Sequence, residues 1–202
     1  MAELAPTKGN LLAAKRSRGL AMDGYELMDK KRNILVRELM ALIDQATDIQ
    51  ARIDSVFTDA YAALKLANIS LGSCDNIAGA ISIDNSVNLL YRSVMGVEIP
   101  IVLSEPTKTD ELPYGLVDTT STLDEAYIKF NHAKILLRDL AETENAIFRL
   151  AYSIKKTQKR SNALKNIVLP GLDATIIRIS DSLEEKDREE FVRLKVIKAN
   201  KQ

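Results

Sequence analysis

Apolar residues recur along the first third of the chain at alternating spacings of four and three. The series is Leu35, Leu39, Leu42, Ala46, Ile49, Ile53, Val56, Ala60, Ala63 and Ala67. A heptad repeat of this kind places its apolar residues on one face of a helix, where a partner helix buries them. Residues 8 to 71 contain no proline, so the pattern predicts one long helix there. The change from leucine and isoleucine to alanine predicts a closer approach of the partner helix towards Ala67.

A second apolar series begins at Leu123 and predicts a second long helix. The series is Leu123, Ala126, Phe130, Ala133, Leu137, Leu140, Glu144, Ile147, Ala151 and Ile154, interrupted only by Glu144. Thr122 and Glu125 have the spacing of a capping box at its start. Further along, the spacing is mostly four, through Leu164, Val168, Leu172, Ile176, Ile179 and Leu183. That spacing departs from a heptad, so we expect the helix packing to change near residues 155–165.

The segment between the helices is rich in glycine and proline. Two short runs at 86–91 and 97–103 are separated by Met95-Gly96 and predict a β-hairpin or a small αβ cap. About fifty residues are too few for an independent catalytic domain with its own core. We therefore divide the chain into an N-terminal helix at 1–71, a compact middle segment at 72–121 and a C-terminal helix at 122–202.

The predicted fold is dominated by α-helix, as a long antiparallel two-helix coiled coil with the small cap in the middle of the chain. A parallel pair would need the middle segment to run back along the helices. The expected register places Pro170 opposite Asp23, Gly24 and Tyr25. Pro170-Gly171 would stop an ordinary helix, but the apolar spacing continues to Leu183. We therefore interpret Pro170 and Gly171 as a kink within one helix.

Composition narrows the class of protein. The chain carries 28 basic and 28 acidic residues and has zero formal net charge, which argues against a broad attraction to nucleic acid or a membrane surface. Cys74 is the one cysteine, and we interpret it as a small apolar filler. Neither a signal-peptide core nor a long charge-free apolar run is present, so we expect a soluble, intracellular protein that does not insert into a membrane.

A search for catalytic chemistry finds no candidate site. The sequence contains neither a phosphate-binding G-x-x-x-x-G-K-[ST] loop nor a G-x-G-x-x-G motif, and His132 is the single histidine. We therefore predict no catalytic residue, no cofactor and no metal site. The acidic run at 184–190 is interpreted as a solvated helix face with ion pairs between Glu184 and Arg188 and between Glu189 and Arg193.

Two basic clusters are expected at the same level of the helix pair, and we call them together the collar. The collar consists of Lys30, Lys31, Arg32, Lys155, Lys156, Lys159, Arg160 and Lys165. Its charge suits an ordinary solvated surface or a docking surface for an acidic protein partner. Binding to nucleic acid is a third interpretation, which the lack of interleaved aromatic residues disfavours.

Several stretches resemble the D subunit of the V-type and archaeal-type rotary ATPases. They include Leu27-Met28-Asp29-Lys30-Lys31-Arg32, Val94-Met95-Gly96-Val97 with Pro100, Arg160-Ser161-Asn162-Ala163-Leu164, Val168-Leu169-Pro170, and Arg188 to Lys195. The resemblance implies a non-catalytic central-stalk shaft that couples ATP hydrolysis or synthesis to proton or sodium ion transport. Its implied partners are a hexamer of alternating catalytic and non-catalytic subunits, the small F subunit of the stalk, and a funnel-shaped subunit on the membrane ion-carrying ring. The implied location is cytoplasmic, on a membrane-bound complex.

In this interpretation the hexamer contacts two parts of the shaft. One is the collar, which would face acidic loops. The other is a set of basic residues near both termini, which we call the tip: Lys8, Lys15, Arg16, Arg18, Arg193, Lys195 and Lys198. Two alternatives remain open at this stage, a γ-type shaft of the F-class rotary enzymes and a self-associating coiled-coil scaffold or adaptor.

Overall fold

A computed structural model describes residues 5–72, 74, 77, 79, 81, 87–104, 114–115 and 119–200. The helices are α1 (Lys8–Leu71), α2 (Ser121–Ala163) and α3 (Leu169–Ala199), and a π-helical turn (Leu164–Val168) connects α2 to α3. Two strands, β1 (Val87–Val94) and β2 (Val97–Ser104), form an antiparallel pair. The predicted fold class, mostly helical with a small β-hairpin in the middle, is confirmed. Over the described ranges, none of the helices combines the length and the apolar character that crossing a membrane requires.

The chain divides into two compact units. The terminal unit comprises Met1–Asn33 and Ile154–Gln202, and the middle unit comprises Ile34–Ser153. In the terminal unit Arg18 contacts Asp173 and Arg32 contacts Gln158. In the middle unit the hydroxyls of Ser70 and Thr122 lie 3.1 Å apart, and the ring of Tyr61 meets that of Phe130 edge to face. In both units, a residue that stands later on α1 contacts a partner that stands earlier in the C-terminal half of the chain. Each unit therefore contains an antiparallel helix pair.

The apolar series predicted for α1 is buried as expected. None of its ten members is exposed, and Leu35, Ala60 and Ala67 are completely buried. All ten belong to the middle unit. A heptad pattern therefore located the buried face of this helix correctly along the whole series.

The series predicted for α2 is wrong in part beyond Ala133, where Leu140, Ile147 and Ile154 are half-buried as expected but other members are exposed. Leu137 is 45% exposed and Ala151 is also exposed, whereas Ala146 and Leu150 are buried. Leu137 instead lines a groove between α2 and the β-hairpin. Glu144 is exposed, so it does not interrupt the buried face as the heptad count had suggested.

The start of α2 also differs from the prediction. Thr122 lies inside the helix, where its hydroxyl is 2.8 Å from that of Thr120, and Glu125 forms an ion pair with Lys129. The predicted capping box is therefore wrong. The hydroxyl of Tyr114 donates a 2.7 Å hydrogen bond to Asp124 in this first turn. Burial, and secondarily this bond to Asp124, raises the pKa of Tyr114 above its ordinary range.

Tyr114 belongs to an apolar cluster that closes this end of the middle unit. Its buried members are Ala67, Tyr114 and Leu123, and Leu71, Cys74, Ile77 and Tyr127 pack around them. Cys74 is a free thiol within this packing, which agrees with its interpretation as a small apolar filler.

The hairpin has the connection that its sequence predicts. Val94 pairs with Val97, and the two residues between them, Met95 and Gly96, have positive φ angles of 50° and 75°. Positive φ at both central residues matches a type I′ turn, whose twist suits two antiparallel strands. Residue 86, with which the first predicted run began, lies outside the described residues.

The hairpin is attached to both helices of the middle unit by charged side chains. Arg92 of β1 pairs with Glu38 of α1 at 3.0 Å. From α2, Glu142 accepts a 2.8 Å hydrogen bond from the backbone N–H of Val102, and Arg149 donates to the carbonyl of Glu98. Arg149 also lies 5.4 Å from the centre of the Tyr91 ring, a cation–π geometry. One face of α2 is thus committed to the hairpin.

Candidate protein-binding surfaces

The two basic clusters of the collar lie at the same level of the terminal unit. The contact between them is a 2.8 Å hydrogen bond from the Arg32 guanidinium on α1 to the side-chain oxygen of Gln158 on α2. Gln158 in turn donates to Asn162 at 2.8 Å. The juxtaposition expected from the sequence is therefore present in the structure.

Two collar residues are occupied by contacts between the helices. Arg32 pairs with Asp29 at 2.7 Å in addition to its bond with Gln158. Lys165 lies 5.8 Å from the centre of the Tyr25 ring. These two cations hold the helix pair together and are less available to a partner than the rest of the collar.

Five other collar residues are exposed, namely Lys30, Lys155, Lys156, Lys159 and Arg160. Across the described ranges, no carboxylate lies within the 4.0 Å ion-pair distance of these five side chains. Clustered like charges without counter-charges repel one another and favour an acidic partner. The collar thus presents a concentrated positive surface on a chain whose net charge is zero.

The buried face beneath the collar is polar, a feature that the sequence reasoning missed. Thr157 is 5% exposed and Ser161 is 2% exposed, and they separate the basic residues around them. Thr157, Ser161 and Leu164 are separated by four and then three residues, which is heptad spacing. That spacing could have identified the two hydroxyl residues as buried. Small hydroxyl residues here let the helices pair without a wide apolar surface.

The tip residues do not all lie at one level of the helix pair. All seven are exposed, but Arg18 is paired with Asp173 across the helix pair. The same antiparallel offset puts Lys8, the first residue of α1, level with residue 183. Arg193 therefore lies about 15 Å further along α3, at ~1.5 Å per residue. The tip consists of two groups of basic residues, one on α1 and one on the last turns of α3.

The acidic run near the end of α3 forms the ion pairs predicted for it. Glu184 pairs with Arg188 at 3.7 Å and Glu189 with Arg193 at 3.4 Å, both at a spacing of four. Every residue from 184 to 200 is exposed. This run is a solvated helix face.

The backbone is irregular immediately before Pro170. Residues Leu164–Val168 are π-helical, and the N–H of Leu169 donates to the carbonyl of Leu164, five residues earlier. The expected register was also displaced, since Gly24 faces Leu164, whose Cδ1 would lie 3.9 Å from a methyl group on the glycine. Gly24 is thus not opposite Pro170 as predicted. The π-helical turn overlaps the range 155–165, where a change in packing was expected, only at Leu164 and Lys165. That change and the kink at Pro170 and Gly171 stay predictions.

Within the described residues, no group of three histidine, cysteine or carboxylate side chains is arranged to hold a metal ion. His132 is exposed on α2.

Comparison with known proteins identifies the family of this chain. A family model for the D subunit of ATP synthase matches residues 10–199. The D subunit of the V-type ATP synthase of Thermotoga neapolitana is 43% identical over 197 residues, covering 96% of this chain and 97% of that protein. The D subunits of the A-type ATP synthases of Methanosphaera stadtmanae (34% identity, 96% and 93% covered) and Thermococcus kodakarensis (35%, 98% and 96%) are also similar. The chain belongs to the family of ATP synthase D subunits.

Proposed function

We propose that this protein is the central-stalk axle of a V/A-type rotary ATPase and carries no catalytic site of its own. As an axle it couples ATP hydrolysis or synthesis in the catalytic hexamer to proton or sodium ion transport through the membrane ring. Membership of the D-subunit family supports this function over a γ-type shaft or a coiled-coil adaptor. The protein then works as a peripheral, cytoplasmic part of the membrane-bound complex.

The architecture supports a mechanical role. Each unit contains two helices packed side by side, and a paired helix resists bending and twisting better than a single one. A rotor must also turn past several similar surfaces without locking. Charged, solvated contacts break more easily than a large apolar interface, and the terminal unit presents such contacts in both the collar and the tip.

The single observation that carries the proposal is the collar. Its five exposed cations lack acidic partners within the described part of the chain, so their charge is available to acidic loops of the surrounding hexamer. Charge complementarity of this kind speeds encounter and selects among partners without a deep apolar contact. The two groups of tip residues supply further basic contacts to the same hexamer.

The middle unit offers a surface for the small F subunit of the stalk. A groove of about 480 Å³ lies between the hairpin and α2. Its apolar lining includes Leu89, Tyr91 and Leu137, and Lys134 and Glu142 border it. In the proposed complex the F subunit covers this groove and the adjoining helix faces, while the funnel-shaped subunit connects the axle to the ion-carrying ring.

Reversing the charge of the collar tests the proposed function directly. The variant carries Lys155→Glu, Lys156→Glu, Lys159→Glu and Arg160→Glu within the whole complex. We expect several-fold weaker coupling of ATP hydrolysis to ion transport, or loss of the hexamer during purification, because acidic loops would now meet a negative surface. Ion transport into sealed vesicles and the rate of ATP hydrolysis are measured together.

A charge-conserving variant controls for the change of side chains. Lys155→Arg, Lys156→Arg, Lys159→Arg and Arg160→Lys keep the positive surface and should couple normally. All four positions are exposed, so both variants should melt at the temperature of the parent chain. Normal coupling by the charge-reversed complex would refute the role of the collar. Purification of the tagged protein from its own cells without any nucleotide-binding hexamer would refute the axle itself.

A further inference from the structure

The π-helical turn lies between two buried series that do not share one heptad phase. Before the turn, the inward positions are Thr157, Ser161 and Leu164. A heptad continued from these three residues has its next inward positions at Val168, Gly171, Thr175, Arg178 and Ser182. After Val168, the apolar residues stand one position later, at Leu172, Ile176, Ile179 and Leu183. The sequence therefore holds one residue too many for an uninterrupted heptad.

Burial shows which series the folded helix pair uses. Ile179 is 1% exposed, while its neighbour Arg178 is exposed. This pair is what separates the two series, since Leu172, Ile176 and Leu183 are half-buried and so are Gly171, Thr175 and Ser182. At that level of the helix the buried residue belongs to the later series, although the residues before the turn would direct Arg178 inward.

The geometry of the turn accounts for the difference. The bond from the Leu169 N–H to the Leu164 carbonyl spans five residues, where an α-helix spans four. A single π-helical turn thus takes up one extra residue without breaking the helix. In a regular α-helix, one extra residue would rotate everything after it by about 100°.

We infer that the π-helical turn at Leu164–Val168 is a phase-setting element. It absorbs one residue so that Leu172 to Leu183 face α1, and it thereby fixes the direction in which α3 presents Arg193, Lys195 and Lys198 relative to the collar. Pro170 is compatible with this turn, because it has no N–H to donate and its ring would clash with the Asn166 carbonyl in a regular α-helix. The extra residue causes the π-helical turn, and Pro170 is compatible with the turn without causing it.

Deleting one residue from the turn tests this inference. Ile167 is 68% exposed and is removed from the full-length chain in a Pro170→Ala background, which avoids the ring clash. We expect a continuous α-helix whose buried residues are unchanged and a melting temperature at or above that of Pro170→Ala alone. The matched control inserts one alanine after Ile167, and it should melt at least about 4 °C lower because α3 is then turned away from α1.

The direction of α3 is read separately by thiol labelling. In a Cys74→Ser background, the thiols introduced by Arg178→Cys and by Ile179→Cys are compared for their rates of alkylation. The thiol of Arg178→Cys should react faster than that of Ile179→Cys in the Pro170→Ala chain and in its deletion variant. This difference in rate should disappear in the insertion variant. Equal loss of the preference in the deletion and insertion variants would overturn the inference.

A structure of the Pro170→Ala chain separates the two possible causes of the turn. The inference requires the bond between Leu169 and Leu164 to persist without the proline. A regular α-helix through residues 164–168, with Ile179 still buried, would make the proline the cause and contradict the inference.

The consequence for coupling rests on the proposed function. In the assembled complex, the Pro170→Ala variant with Ile167 deleted should keep coupling, whereas the insertion variant should lose it as its tip residues turn away. If the labelling results hold but both complexes couple equally, the phase-setting element stands and the proposed role of the tip fails.

Discussion

In the middle unit the buried positions of α1 and α2 carry almost only aliphatic side chains, from Leu35 and Ala46 to Ala146 and Leu150. The terminal unit is different, because its buried residues among those described are Ala14, Thr157, Ser161 and Ile179, of which two are polar. Its contacts between helices are also polar, through Arg18 with Asp173 and Arg32 with Gln158. Packing dominates one unit, and charge and hydrogen bonding contribute much more to the other.

This difference matches the division of labour in the proposed axle. Hydrophobic burial is non-directional and is not screened by salt as charge pairs are, which suits a unit that carries the hairpin and holds its own shape. Exposed charged contacts are individually weak and screened by salt. They suit a unit whose surface must form and release contacts with a surrounding hexamer during each turn.

Truncating a buried leucine of the middle unit should give the largest loss of stability. Leu150 is completely buried on α2, so Leu150→Ala should lower the free energy of unfolding by about 2–5 kcal/mol. Leu137→Ala on the same helix is the matched control, and its cost should stay within about 0.5 kcal/mol because surface positions contribute little. Urea unfolding followed by circular dichroism measures both. Equal losses would restore the heptad-based prediction that Leu137 belongs to the buried face.

Enlarging an alanine of the same buried face should have a smaller effect. Ala63 is buried on α1 and Ala62 beside it is exposed, so the pair differs in packing and hardly at all in helix propensity. Ala63→Leu should cost about 1–3 kcal/mol through overpacking against α2, while Ala62→Leu should be nearly neutral, and the same urea unfolding measures both. A neutral Ala63→Leu would mean that the alanine-rich end of the helix pair is loosely packed.

The accuracy of the sequence-based predictions differs between α1 and α2. The heptad count worked for α1, where the partner helix is what buries the apolar series. It failed at Leu137 and Ala151 of α2. This helix also packs against the hairpin, and Leu137 lines the groove beside it. An apolar spacing marks side chains that are suited to burial, and it does not show which of them a partner helix covers.

The candidate binding surfaces, like the two helices, were predictable from the sequence only in part. The collar and the ion pairs of Glu184 and Glu189 depend on local charge patterns, which the sequence states directly. Two other features depend on which residues of the paired helices face each other. They are the burial of Thr157 and Ser161 and the division of the tip into two groups. The expected register was displaced, because Gly24 was expected opposite Pro170 and faces Leu164 instead, which lies nearly two helical turns earlier.

Breaking the ion pair of the terminal unit should give the smallest effect, and the one most sensitive to salt. Arg18 and Asp173 are both about half exposed, so a double-mutant cycle of Arg18→Ala and Asp173→Ala should give a coupling of roughly 0.2–1 kcal/mol. At ~1 M salt the Debye length falls to about 3 Å, and the coupling should shrink towards zero, whereas the cost of Leu150→Ala should not fall. A coupling that survives high salt would place this pair among the packed contacts, and the contrast between the two units would then rest on burial alone.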